Sequence, residues 1–106
     1  MKLLTVCTTV GEAADARRIA NAAVERALAA CVHIDAIDSV YRWQGQVQHG
    51  REQRLVFKTT EAAAPALRAL ILEMHPYDLP ALYTLEVAEA SAAYAEWVQQ
   101  QTRPAP

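Results

Sequence analysis

Only three glycines, Gly11, Gly45 and Gly50, occur in 106 residues. That excludes a glycine-rich loop of the kind that cradles phosphates. Two cysteines, Cys7 and Cys31, are too few and too far apart for a disulfide framework or a Cys-x-x-Cys redox motif. They predict reduced thiols in a reducing compartment, hence a cytoplasmic protein. Lys and Arg total 10 against 12 Asp and Glu. A chain without clustered basic charge is not expected to bind nucleic acid or an anionic membrane surface. The apolar start, Met1-Lys2-Leu3-Leu4, is interrupted by Thr5, Cys7, Thr8 and Thr9 and followed by Glu12, which argues against an export signal. No apolar run is long enough to span a bilayer. Neither an activated nucleophile nor an acid/base pair stands out, so the chain is not expected to be an enzyme.

What is present is apolar: 53% of residues are hydrophobic, enough for a real core. The length fits one small domain, expected over residues 1–102, with a loose tail at 103–106. A core this size benefits from oligomer formation. Leu3–Val10 is short and β-branched, with apolar residues on both faces, and reads as a strand inside a sheet. Glu12–Ala30 reads as a helix whose stripe is Ala16, Ile19, Ala20, Ala23, Val24, Ala27 and Leu28. Cys31–Trp43 reads as a strand in which the alternation slips near Ile37, as a bulge or bend would make it. A hairpin turn at Gln44-Gly45 or Gly45-Gln46 leads into a strand over Val47–Thr60. Its first part, through Glu52, is polar and reads as solvated. Glu61–Met74 is a second helix, with Leu67, Leu70, Ile71 and Met74 inward and Pro65 in its first turn. Leu79–Val87 is a strand, and Ser91 caps a short helix to about Gln100 that turns Tyr94, Trp97 and Val98 inward. Strand-helix-strand occurs twice, which predicts an α+β, ferredoxin-like split βαβ sandwich. An antiparallel sheet then carries both long helices on one face. The other face is left for neighbouring subunits to cover.

The junction Met74-His75-Pro76-Tyr77-Asp78-Leu79-Pro80 is the stretch most suited to holding side chains still. Pro76 ends the helix, Pro80 suits strand entry, and both stiffen the loop. The soft and borderline metal donors are Cys7, Cys31, Met74, His33, His49 and His75. Thiolate, thioether and imidazole together suit copper or zinc. None has zinc-finger spacing, so any site must be assembled by the fold or between subunits. Lys58, at the end of the run Leu55-Val56-Phe57, either snorkels to the surface or meets an anion or carboxylate.

Five pieces in order, Ala29-Ala30-Cys31-Val32, Ser39-Val40-Tyr41-x-Trp43-x-Gly45, Phe57-Lys58-Thr59, His75-Pro76-Tyr77-Asp78-x-Pro80 and Tyr94-x-x-Trp97, resemble the CutA divalent-cation tolerance family. The resemblance covers nearly the whole chain. It implies a ferredoxin-like fold closed into a homotrimer around a threefold axis, similar to PII-type signalling proteins. It also implies copper or other divalent-cation binding. Cys7 falls where some relatives carry a metal-associated cysteine, and His75 on the histidine of the His-Pro-Tyr motif. Met74 stands where some relatives have a further histidine, and Ala81 where an acid is frequent. Two functions follow as expectations. One is a trimeric copper or divalent-cation binding protein using Cys7 and His75. The other is a PII-like sensor whose intersubunit cleft is lined by Tyr41, Trp43, Lys58 and Tyr77.

Overall fold

The computed structural model describes residues 2–103. Met1 and residues 104–106, which include most of the expected tail, lie outside the described residues. Strand β1 (Leu3–Val10) is followed by α1 (Ala13–Glu25), β2 (Cys31–Trp43), β3 (Gln46–Thr60), α2 (Ala64–Met74), β4 (Leu82–Glu86) and α3 (Ala92–Gln101). The strands form an antiparallel sheet in the order β2-β3-β1-β4, as a split βαβ arrangement requires.

The period of two in a strand sorts residues onto two faces. Val6 and Val10 of β1 and Leu55 and Phe57 of β3 share one face and are fully buried. They pack with Ala16, Ile19, Ala20 and Ala23 of α1 and Leu67, Leu70 and Ile71 of α2. The alanines of α1 let the helix approach the sheet closely. Leu3, Cys7, Tyr83 and Leu85 point to the opposite face. At one end α3 reaches over that face, where Val98 meets Leu3 and Ala30 in a small second cluster. Val98 is fully buried, but Tyr94 and Trp97, expected inward, stay 40% exposed and stack on each other at 5.9 Å. Ser91 caps α3 as expected, its Oγ accepting from the Tyr94 N–H.

Three expectations change. Helix α1 stops at Glu25, not Ala30. The Ala27 N–H bonds the Val24 carbonyl and the Leu28 N–H bonds the Ala23 carbonyl, with Ala27 at φ 57°. This is a Schellman ending, built here on alanine where glycine is usual. Val24, expected on the buried stripe, is consequently exposed beside that ending. Helix α2 begins at Ala64 and β4 at Leu82, each three residues inside the expected start, and β4 ends at Glu86.

The third change is in β2. It pairs with β3 one to one from Cys31↔Lys58 to Trp43↔Gln46, so the slip in alternation is not a bulge. Pairing of β3 with β1 ends at Gln53. Beyond it the β2–β3 ribbon has neither a third strand nor a helix beside it among the described residues. No core selects one face there, and apolar residues occur on both. Val40 and Val47 are 66% and 58% exposed on one face, with Tyr41 and Trp43 half-exposed on the other. The turn at the tip is Gln44-Gly45, both at positive φ, the geometry of a two-residue hairpin loop. The projecting ribbon stretches the molecule to 46 Å and its radius of gyration to 14.5 Å. A compact chain of this length has about 13 Å.

Candidate functional site

The proline-braced loop leaves the end of α2, lies against β1 and leads into β4. His75 ends the helix in extended backbone because Pro76 follows it. Its Nδ1 accepts the Tyr77 backbone N–H at 3.1 Å, so the proton of the neutral ring lies on Nε2. That Nε2–H points to the Thr9 carbonyl at 2.9 Å and the Thr8 Oγ1 at 3.1 Å. The Thr8 hydroxyl in turn donates to the Ala81 carbonyl at 2.6 Å. Thr8 is buried on the helix side of the sheet and so ties both ends of the loop to β1. Burial holds the His75 ring below its usual pKa, opposed by the Thr9 hydrogen bond and by the charges of Asp15 and Glu52.

Tyr77 lies against this imidazole, ring centres 5.0 Å apart, and its hydroxyl donates to Glu52 Oε2 at 3.0 Å. Glu52 belongs to the stretch of β3 expected to be solvated, and instead anchors the loop to the ribbon. Burial, the Glu52 hydrogen bond and that carboxylate's charge push the Tyr77 phenol up to about 12. Tyr41 and Asp15 add smaller contributions. Gly11 lies beneath it, and a Cβ there would sit 3.2 Å from the Tyr77 hydroxyl, so a larger residue would have to displace the phenol by a few tenths of an ångström. Arg18 completes the frame by donating to both Asp15 Oδ1 and the Met74 carbonyl at the end of α2, each at 3.2 Å.

Cys7 is 5% exposed and faces away from the helices, opposite Val56 and Tyr83. The phenol of the neighbouring Tyr83 is raised above its usual pKa, first by its interaction with Cys7 and then by burial. Cys7 and His75 are therefore attached to opposite faces of β1, and one chain does not bring them together. Among the described residues no group of three or more His, Cys, Asp or Glu side chains is arranged to hold an ion. The described residues of one copy thus supply no ready three-donor set of these side chains. The donor types, a free thiol and an imidazole with a fixed tautomer, do fit copper.

The four expected cleft residues separate into two groups. Tyr41 lies near Tyr77, and Trp43 is further along the ribbon toward its tip. Lys58 pairs with Cys31, and Trp43 lies about 40 Å along β2 from there at roughly 3.3 Å per residue. Lys58 is half-buried on the helix-free face, in a separate cleft beside α3. Thr8, Glu52, Asp15 and Arg18 were not singled out from the sequence. Thr8, Glu52 and Arg18 earn their roles through contacts distant in the chain, and Asp15 through its charge acting on His75 and Tyr77; a threonine in a strand or a carboxylate in a polar stretch gives no local signal of either.

Residues 4–101 match the profile described as "CutA1 divalent ion tolerance protein". The chain is 42% identical over 98 residues to a protein of Thermus thermophilus named "Divalent-cation tolerance protein CutA", covering 92% of this chain and 95% of that one. It superimposes on the solved structure of CutA from Synechococcus elongatus with TM-score 0.93 and 40% identity, over 96% and 91% of the two chains. The CutA1 structure from Ehrlichia chaffeensis gives TM-score 0.92 and 33% identity, over 97% and 98%. No helix among the described residues is long and apolar enough to cross a membrane. With the fold, the His-Pro-Tyr loop and matches across nearly its whole length in agreement, the chain belongs to the CutA1 family of divalent ion tolerance proteins.

Proposed function

We propose that this protein acts as a homotrimer that binds copper or a related divalent cation through Cys7 and His75, as a cytoplasmic, non-enzymatic part of metal tolerance. The observation that carries this is the state of His75. Its Nε2–H is committed to the Thr9 carbonyl, and its Nδ1 lone pair is engaged by the Tyr77 backbone N–H. Metal-bound imidazoles characteristically donate their other N–H to a carbonyl or carboxylate, which fixes the tautomer and raises ligand basicity. The bond from the Tyr77 N–H to Nδ1 is solvent-exposed, so water can satisfy that donor when Nδ1 takes a cation. Cys7 supplies the soft donor that favours copper. Because the two donors are attached to opposite faces of β1, the remaining ligands come from neighbouring copies.

Equilibrium dialysis against copper tests the reading. Saturable binding is expected, lost or strongly weakened in Cys7→Ser and in His75→Ala. Copper binding that survives both substitutions unchanged contradicts it.

A second reading is a PII-like sensor of a small organic ligand, with Tyr41, Trp43, Lys58 and Tyr77 contributed to a cleft by more than one subunit. It is favoured by Lys58, a half-buried ammonium with no ion-pair partner among the described residues. A ligand that binds only the folded protein must raise its thermal midpoint. A screen of small metabolites that finds no such ligand contradicts this second reading.

A further inference from the structure

We propose that the cleft between the helix-free face of the sheet and α3 binds a small monocarboxylate, with Lys58 as its counter-ion. The proposal rests on the sensor reading and names the ligand class for the Lys58 part of it. Lys58 is on β3, a central strand, flanked by Thr5 of β1 and Cys31 of β2. The segment leading into α3, and α3 itself, form the opposite wall of a cleft of about 280 Å³.

Three features select the ligand. An ammonium drawn partly out of water is stabilised by an anion delivered to it, and a charge-assisted hydrogen bond is about twice as strong as a neutral one. The Tyr94 phenol and the Thr5 hydroxyl line the same space and can donate to the second oxygen of a carboxylate. Burial raises the Tyr94 phenol further, so it remains a donor at neutral pH. Glu89 also lines the cleft, and a second negative charge on the ligand would be repelled by it. Leu3 and Val98 give the remainder of the wall an apolar character suited to a short hydrocarbon body. One cation, one opposing carboxylate and apolar walls favour a monocarboxylate over a phosphate.

Titration of the assembled, isotopically labelled protein with sodium butyrate, followed by NMR, tests this. Saturable shifts are expected at the Lys58 side chain and the Thr5 amide. Butyramide, which lacks the charge, and inorganic phosphate should not reproduce them. Lys58→Met keeps the apolar stem and should weaken butyrate at least tenfold, while Lys58→Arg should weaken it less. If Lys58→Met fails to fold, Thr5→Val should still reduce the affinity. The proposal is overturned if no saturable shift occurs in the cleft, as when a neighbouring copy's carboxylate already occupies Lys58. Equal binding of butyramide or phosphate, or unchanged affinity in these variants, overturns it too. Butyrate shifts confined to Tyr41, Trp43 and Tyr77 would overturn the cleft assignment while leaving the sensor reading intact. Absence of any stabilising ligand in the thermal screen would remove the sensor reading itself.

Discussion

Thr8 is the residue on which the loop depends. Its hydroxyl accepts from His75 and donates to Ala81, and it is buried while doing both. Thr8→Val keeps the shape but leaves the Ala81 carbonyl without its donor. It should cost about 1–3 kcal/mol in denaturant unfolding, with Thr8→Ser recovering most of the loss. His75 adds a pH dependence. Burial lowers its folded pKa below the unfolded value, so the unfolded chain binds more protons between the two. The stabilisation is fully present above pH of about 6.5, the unfolded value, and is lost as pH falls toward and through the lower folded pKa. Unfolding midpoints measured from pH 7.5 down to 5 should fall more for the native chain than for His75→Gln. Equal pH dependence in the two would show that the ring is not buried neutral. His75 and Tyr77 stood out in the sequence because Pro76 adjoins both and, with Pro80, stiffens the loop. Thr8 did not, since β1 contains three threonines and alternation alone does not tell which one meets a loop 67 residues away.

Element boundaries were legible where side chains enforce them. Pro76 ended α2, Ser91 began α3, and Gln44-Gly45 turned the hairpin. Where the backbone ends a helix without a characteristic residue, the signal was missing. Ala27 does the work of a glycine at φ 57°, so an unbroken alanine-rich run concealed the end of α1. The left-handed conformation is unfavourable for any residue with a Cβ. Ala27→Gly should therefore stabilise the protein by about 0.5–1 kcal/mol, read as a higher denaturant midpoint with unchanged slope. A loss of stability would mean that Ala27 does not adopt this conformation in solution. The polarity slip in β2 misled for the opposite reason. It reflects where the ribbon leaves the core, not a defect in pairing, because the register is continuous to the tip.

At the scale of the molecule, the split βαβ order was readable from the succession of periods, and the antiparallel sheet with both long helices on one face followed from it. The position of α3 was not, because a short helix carries too little pattern to say which face it covers. It covers one end of the helix-free face through Val98 and leaves Tyr83 and Leu85 about half-exposed. With Val40, Tyr41, Trp43 and Val47 on the ribbon, that is more exposed large apolar surface than scattered single residues require. A ribbon apolar on both faces is suited to lying against other copies, and the candidate metal donors on opposite faces of β1 need those copies to complete a site. The separation of Lys58 from Tyr41 and Trp43 has the same consequence for a shared cleft.

The most direct test is the molar mass in solution, measured by light scattering coupled to size exclusion at micromolar concentration. The account predicts one species with three times the 11.7 kDa chain mass, persisting on dilution. A well-behaved particle of one chain mass would contradict it, since neither the exposed ribbon nor the divided donors would then have a partner.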